Sequence, residues 1–314
     1  MQFVYLAQLV APVALIMVVT LWPAGSWLTL FAQVFAVSSL LLTAAVSGIW
    51  ILPPWWTPYV LAAIFSAILL LRFARRPRLS LLPNGRTGAV LAVLLLSSGC
   101  IGAWLAARAL TGVTRPAAAA IELKFPLRAG TYFVANGGSN LSVNAHTDAL
   151  DQSVPAHRPY WGTGYGIDVV KIDRWGLRAS GFMPSGPSQY HIFGASVVAP
   201  CDGDIVLAVD GNVDLPIPQH DATSMAGNHV ILRCAKADII LAHFRNGSVQ
   251  VKIGARLATG DPIAEVGNSG VSDEPHLHIH AQKPGTITAP FSGEPLPMTF
   301  GGRYLVRNDR IHLE

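Results

Sequence analysis

The first 71 residues contain no Asp, Glu, Lys, Arg or His, and no acidic residue occurs before Glu122. Histidine is missing until His146, after which all ten appear. A chain that is 51% hydrophobic and 13% charged, with its charge distributed so unevenly, is too apolar to be one soluble domain. It reads as a membrane half followed by a soluble half. Cysteine is scarce too: Cys100, Cys201 and Cys234 are the only three, which excludes a disulfide-rich scaffold. No basic segment precedes the first apolar run, which argues against a cleaved signal peptide.

The net charge of +4 and the pI near 9.1 do not indicate nucleic-acid binding. Six of the 22 basic residues (Arg72, Arg75, Arg76, Arg78, Arg86 and Arg108) precede residue 111, where no acid stands. That leaves 16 basic against 18 acidic residues, a balance of −2 for the soluble half, so no basic patch is required there.

Four apolar segments, 3–21, 27–50, 56–71 and 88–107, are read as membrane spans in an all-α region of four helices. Trp22, Trp27, Trp50, Trp55, Trp56 and Tyr59 cluster at the junctions, where amphipathic rings favour the lipid–water interface. Five of the arginines lie between the third and fourth segments, and such a positive loop stays cytoplasmic. The fourth segment then carries everything after about residue 110 to the far side. The spans hold no intramembrane charge that would mark a transport path, so this half reads as an anchor. Cys100, inside the fourth apolar segment, is taken as a buried thiol.

The expected organisation is an anchor over 1–110, a tether over 111–120 and an extracytoplasmic domain over 121–314. From residue 121 onward short apolar runs alternate with Gly, Pro, Asn and Asp, the texture of a mainly antiparallel β domain with long loops. Residues 212–227, with Pro216 and Pro218, read as an exposed excursion between two strands. Cys201 opens one strand and Cys234 closes another, and outside the cytoplasm they are candidates for one bridge. Asp173, Asp202, Asp204 and Asp210 read as turn residues.

The most informative stretch follows the turn-rich Gly267-Asn268-Ser269-Gly270: His276, Leu277, His278, Ile279 and His280 alternate imidazole with aliphatic side chain. In a strand this puts three imidazoles on one face and Leu277 and Ile279 on the other. Imidazoles on one strand face can combine a metal ligand with a catalytic or supporting histidine. The plain alternative is a solvated edge strand.

Six collinear pieces resemble the core of the lysostaphin/LytM-type zinc metallopeptidases. They are Val198-Ala199-Pro200-Cys201-Asp202-Gly203-Asp204-Ile205-Val206, Gly227-Asn228-His229-Val230-Ile231, Leu241-Ala242-His243-Phe244, the segment 254–260, Val266-Gly267-Asn268-Ser269-Gly270, and Pro275-His276-Leu277-His278. The resemblance implies a LytM-like β domain that binds Zn2+, with Asp168 of Gly166-Ile167-Asp168 and His278 as metal ligands. It implies His243 and His276 as catalytic imidazoles that do not bind the metal. A catalytic zinc takes three protein ligands, and two His with one Asp is a permitted set.

The chain departs from the commonest family pattern at the third ligand. The family usually has His four residues before the Asp, where Gly164 stands here. A subset supplies this ligand from an earlier Asn-x-His, which Asn144-Ala145-His146 fits; His146 is the favoured match and His157 the competing one. His280 stands where many relatives carry Glu and reads as a supporting or solvated residue. His229 reads as structural, His191 and His220 as solvated, and His312 as part of a polar tail.

The resemblance implies a membrane-anchored zinc metalloendopeptidase acting outside the cytoplasm on peptidoglycan peptides or an exported protein. The alternative is a non-catalytic LytM-like module that binds the wall or activates other wall hydrolases. A transporter or sensor with an accessory exterior domain rests on the spans alone.

Overall fold

The structure is a computed structural model describing residues 2–75, 78–286 and 288–314, the side chains of residues 2–7 excepted. Contacts divide the chain into two compact units, Met1–Thr111 and Gly112–Glu314.

The first unit contains helices α1 (Gln2–Leu21), α2 (Trp27–Ser47), α3 (Thr57–Ala74) and α4 (Gly85–Gly112). Ile16, Val19, Val37, Leu61 and Phe65 pack where the first three meet. α4 lies against α2 through small residues. A Cβ on Gly99 would stand 2.4 Å from Phe35 Cδ1, and one on Gly102 would stand 2.7 Å from Ser39 Oγ. Close backbone approach of this kind is how helices associate in lipid, where apolar side chains gain nothing by leaving the solvent. Thr43 Oγ1 adds a hydrogen bond to the Gly102 carbonyl at 2.9 Å.

Several expectations for this unit change. Among the described residues three helices, α2, α3 and α4, are long and apolar enough to cross a membrane; the described apolar part of α1, Gln8–Leu21, is shorter. The expected count of four spans is thus not confirmed: three candidates stand among the described residues. Arg72 lies inside the last turn of α3, where it donates to the carbonyls of Val19 and Trp22 and to Gln33 Oε1. Trp50 is buried, its Nε1 donating to the Ala45 carbonyl, so it is a packing residue and not an interfacial one. Cys100 is exposed, because α4 meets α2 through Gly99 and Gly102 and turns the intervening side chains outward. Arg76 of the positive loop lies outside the described residues.

The second unit contains thirteen strands among the described residues. The first seven are β1 (Ile121–Leu123), β2 (Gly130–Asn136), β3 (Ile167–Lys171), β4 (Ser196–Val198), β5 (Gly203–Val209), β6 (Asn228–Cys234) and β7 (Ala237–Phe244). The remaining six are β8 (Arg256–Leu257), β9 (Pro262–Glu265), β10 (Leu277–Gln282), β11 (Pro295–Leu296), β12 (Met298–Phe300) and β13 (Arg310–Leu313). The main sheet runs β13-β2-β3-β10-β7-β6-β5-β8, with β11 pairing the end of β10. Every pairing in it is antiparallel. β4 with β9, and β1 with β12 in parallel, form two small ribbons.

One face of the main sheet makes the core. Ile167, Val169, Val230, Leu232, Ile239, Leu241, Leu277 and Ile279 all pack there with at most 3% exposure. β7 is buried along its whole length, as its nearly unbroken apolar run demands for a strand covered on both faces. β10 is buried throughout as well, so the histidine-bearing strand is central, not a solvated edge. The segment between β5 and β6 is anchored rather than free. Asp214 Oδ1 accepts the Asn268 amide at 2.6 Å, and Asn212 and Asn228 bond each other. Asp173 is a turn residue, accepting the amides of Trp175 and Leu177, whereas Asp204 lies within β5.

Cys201 and Cys234 form a disulfide, their Cα atoms 6.1 Å apart, joining the approach to β5 to the end of β6. Bridges of this kind persist in oxidising compartments. Replacing both cysteines by serine is expected to lower unfolding free energy by about 2–4 kcal/mol, read from denaturant melts under non-reducing conditions.

Candidate metal centre

Register builds the site. β10 runs between β3 and β7, and in these ladders His278 is paired with Asp168 on one side and Ala242 on the other. His243 follows Ala242. Between β6 and β7 the register shifts, so that Asn228 faces Phe244 and His229 faces Ala242, leaving His243 as an extra residue. His243 adopts φ +65°, a left-handed conformation costing a non-glycine residue about 1–3 kcal/mol. The bulge re-aims its ring towards β10. Its amide donates to the Ala226 carbonyl and its Nδ1 to the Ser269 carbonyl at 2.9 Å, which hold this conformation in place.

His146 comes from a short 3-10 helix, Ala145–Leu150, capped by the fully buried Asn144. Asn144 Oδ1 accepts the His146 amide at 3.1 Å, while its Nδ2 donates to the carbonyls of Gly138 and Gly166. The Asn-x-His spacing thus pins the His146 turn to the backbone two residues before Asp168. Gly166 is also a point of close approach: a Cβ there would stand 2.8 Å from His278 Cε1. Gly164 packs on Leu150, where a Cβ would come within 2.3 Å of Cδ2, so that position has no room for a ligand side chain.

The three candidate ligands meet. His146 Nε2 lies 3.0 Å from both Asp168 oxygens, and His278 Nδ1 lies 2.8 Å from Oδ1. One donor atom from each residue lies within 4.8 Å of the others. Two imidazoles and a carboxylate at this spacing fit a zinc donor set. Burial alone would raise Asp168, but His146, His276 and His278 hold its carboxyl well below the usual carboxylate range. Burial pulls His146 down, yet the adjacent carboxylate outweighs it and raises the imidazole. His278 is lowered, chiefly by burial.

His243 and His276 stand beside the cluster, their ring centroids 4.7 Å apart, and His276 Nε2 is 3.6 Å from Asp168 Oδ1. Each donates from Nδ1 to a carbonyl, His243 to Ser269 and His276 to Glu274 at 2.8 Å. With Nδ1 of His243 carrying the proton, its Nε2 offers a lone pair when the ring is neutral. Burial and the neighbouring imidazoles push His243 well below the ordinary histidine value, so it stays neutral. Behind His276, Glu274 takes two bonds from Arg178 Nε at 2.7 and 2.8 Å, and both residues are buried. This charged pair braces the loop that delivers His276.

Beside the cluster opens a cleft of about 370 Å3, its walls including Ala149, Tyr160, Met225, Ile240 and Phe291. His157 lies on the same wall but pairs with Asp148 at 3.6 Å and is not part of the three-residue cluster. His280 is 2% exposed, its Nδ1 2.9 Å from His278 Nε2. His229 is buried, donating from Nδ1 to the Gly227 carbonyl. His312 belongs to β13 and contacts Thr131, so it is not in a polar tail.

Sequence reasoning missed two neighbours of Asp168. Asn136 Nδ2 donates to Oδ2 at 3.3 Å, and Arg307, lowered to about 10 by burial, donates to Asn136 Oδ1 at 2.9 Å. Nothing local marks either residue, because strand pairing and the return of the C-terminal segment bring them in.

A strand pair presenting one imidazole and a carboxylate, completed by an imidazole from a 3-10 turn at donor spacing and with a cleft alongside, has the layout of a site able to hold a divalent ion. Residues 190–290, within the second unit, match the family model described as Peptidase family M23. The matched segment holds His243, His276, His278 and His280, while His146 and Asp168 precede it. Among solved structures, lysostaphin in solution is similar at 20% identity and TM-score 0.25, over 38% of this chain and 37% of that one. A zinc-containing peptidase from Vibrio cholerae is similar at 18% identity and TM-score 0.23, over 37% and 46%. The lysostaphin catalytic domain from Staphylococcus simulans is similar at 21% identity and TM-score 0.23, over 34% and 82%. The chain thus spans less than half the length of the first two. Scores of this size add nothing to the family match. Comparison with curated proteins returns no match.

Gly166→Ala sets a methyl group against the His278 ring. The expected outcome is divalent-ion affinity weakened about 10–100-fold, the range for displaced ligand support, measured by chelator competition.

Proposed function

We propose that this chain is a membrane-anchored zinc metalloendopeptidase whose second unit hydrolyses peptide bonds outside the cytoplasm, in peptidoglycan. The observation that carries the reading is the meeting of His146, Asp168 and His278 beside two imidazoles that do not belong to the cluster. These three residues would hold zinc. Bound there, zinc supplies Lewis acidity and lowers the pKa of its water to about 7.

The chain's own groups do the remaining work. His243, kept neutral by burial and presenting Nε2, takes the proton of the attacking water and returns it to the leaving amine. His276, whose Nδ1 donates to the Glu274 carbonyl, would stabilise charge developing on the carbonyl under attack by carrying a second proton at Nε2 and donating it there. The apolar walls of the cleft seat the substrate and exclude water. The complete donor set favours this reading over a non-catalytic wall-binding module.

Placement outside the cytoplasm rests on charge. Arg72, Arg75, Arg78 and Arg86 flank the connection between α3 and α4, which keeps that connection cytoplasmic and sends the end of α4 to the other side. The number of helices crossing before α3 does not alter this. The Cys201–Cys234 bridge agrees with an oxidising compartment.

The purified chain in detergent is expected to hold one zinc per molecule, measured by elemental analysis. Zinc survives His157→Ala and is lost in His146→Ala. The wild type releases shorter peptide fragments from purified peptidoglycan, read by product mass, and His278→Ala releases none. Absence of zinc in the wild type would overturn the metalloenzyme reading, and absence of peptide products from the zinc-loaded chain would overturn peptidoglycan as substrate.

A further inference from the structure

The end of the first unit where α3 passes into α4 is built from two connections held together. Ser80 pairs with Ser26 in a parallel bridge; the Trp27 amide donates to the Ser80 carbonyl at 2.9 Å and the Leu28 amide to the Leu81 carbonyl at 3.2 Å. Arg72, in the last turn of α3, donates to the carbonyls of Val19 and Trp22, and the Phe73 ring stacks on Trp27 with centroids 6.4 Å apart. Ser80 and Leu81, between α3 and α4, are therefore strapped to the segment that joins α1 to α2.

This end carries positive charge that the first unit cannot balance, since no Asp or Glu precedes Glu122. Arg72 is held by neutral oxygens alone, the two carbonyls and Gln33 Oε1. Arg75, Arg78 and Arg86 are exposed and make no hydrogen bond or ion pair among the described residues. Beside them stand large apolar side chains that no protein covers: Leu81 is 78% exposed, Leu82 68% and Trp22 57%. Water would leave those side chains uncovered, and hydrocarbon would strand the arginines. The boundary between acyl chains and headgroups meets both demands, with tryptophan and leucine against the chains and guanidinium groups at phosphate level. A zwitterionic headgroup brings its own cation and leaves the surplus charge unbalanced, whereas an anionic phospholipid cancels it. A soluble anion would balance the arginines but leave Leu81 and Leu82 bare.

We propose that this end of the first unit is a docking surface for anionic phospholipids, with headgroup phosphates at Arg75, Arg78 and Arg86 and acyl chains against Trp22, Leu81 and Leu82. Arg72 serves it indirectly, since its bonds to the Val19 and Trp22 carbonyls tie α3 to the end of α1 and keep the surface in one shape. The inference rests on the membrane reading of the first unit and is independent of the metal centre. Each arginine near an anionic surface strengthens attachment about fivefold, and guanidinium groups suit phosphate oxygens in particular.

The test uses the full chain in uncharged detergent, with bound lipid counted by native mass spectrometry across titrations of phosphatidylglycerol and of phosphatidylcholine. Phosphatidylglycerol is expected to bind at least about tenfold more tightly. The triple variant Arg75→Gln/Arg78→Gln/Arg86→Gln is expected to lose that preference. The matching triple exchange to lysine, which keeps the charges, is expected to retain it to within about threefold. Retention in the glutamine variant, or loss in the lysine variant, would overturn the proposal. Location is checked by single exchanges at the two ends of α4: Arg86→Gln is expected to cost about fivefold and Arg108→Gln less than about twofold. Equal losses from the two would show a general effect of net charge and overturn the surface. Inorganic phosphate and glycerol phosphate, added in large excess, are expected to leave the lipid bound; displacement by either would make this a soluble-anion site instead. Equal binding of the two lipids by the wild type sinks the docking surface alone. A chain that stays dispersed without detergent and takes up neither lipid sinks the membrane reading and the surface with it.

Discussion

The structure depends on one register: β10 paired antiparallel with β3 so that His278 faces Asp168. A slip of one residue would turn every side chain of β10 to the opposite face and send Leu277 and Ile279 out of the core. The apolar alternation that buries Leu277, Ile279 and Ala281 is therefore the same constraint that aligns His278, His280 and Gln282 on the other face. Core packing and site geometry are not separate achievements here. The hydrophobic face enforces the position of the polar one.

The polar face is costly to keep dry, and the surrounding structure shows how that cost is met. Each imidazole near the cluster has a specific partner: a backbone carbonyl for His243 and His276, a carboxylate for His146 and His278. Asn144 ties the His146 turn to the Gly166 backbone, Asn136 and Arg307 support Asp168, and the Arg178–Glu274 pair braces the loop before β10. Buried polar groups demand such satisfaction. His280 Nε2 and Gln282 Oε1 depart from this pattern.

Much of this was legible because the relevant signals are local. Charge-free apolar runs, arginines gathered in one loop and a period-two run of histidine and aliphatic residues are each readable without knowing any long-range contact. The six collinear pieces pointed to the same class as the family match over residues 190–290. The Asn-x-His segment pointed to His146, and the turn capped by Asn144 supplies the physical reason for that spacing. Where reading failed, the answer lay in packing between distant segments. Trp50 was expected at an interface and is buried; Cys100 was expected to be buried and is exposed. Arg72 was counted with a loop and lies in α3, held by the Val19 carbonyl of α1 and the Trp22 carbonyl that follows it. The first apolar helix looked like a fourth span, yet three helices meet the length among the described residues.

The amino-acid order by itself determined the division into an apolar and a polar half, the β texture of the second and the imidazole-bearing face of one strand, because side-chain periodicity and charge act over a few residues. Tertiary structure alone decided which distant groups meet. Asp168 reaches His278 through strand pairing across 110 residues, His243 is aimed by a bulge, and Arg307 arrives beside Asn136 from the end of the chain. Those meetings follow from burial of a shared core and closure of hydrogen-bond ladders, which no local pattern encodes.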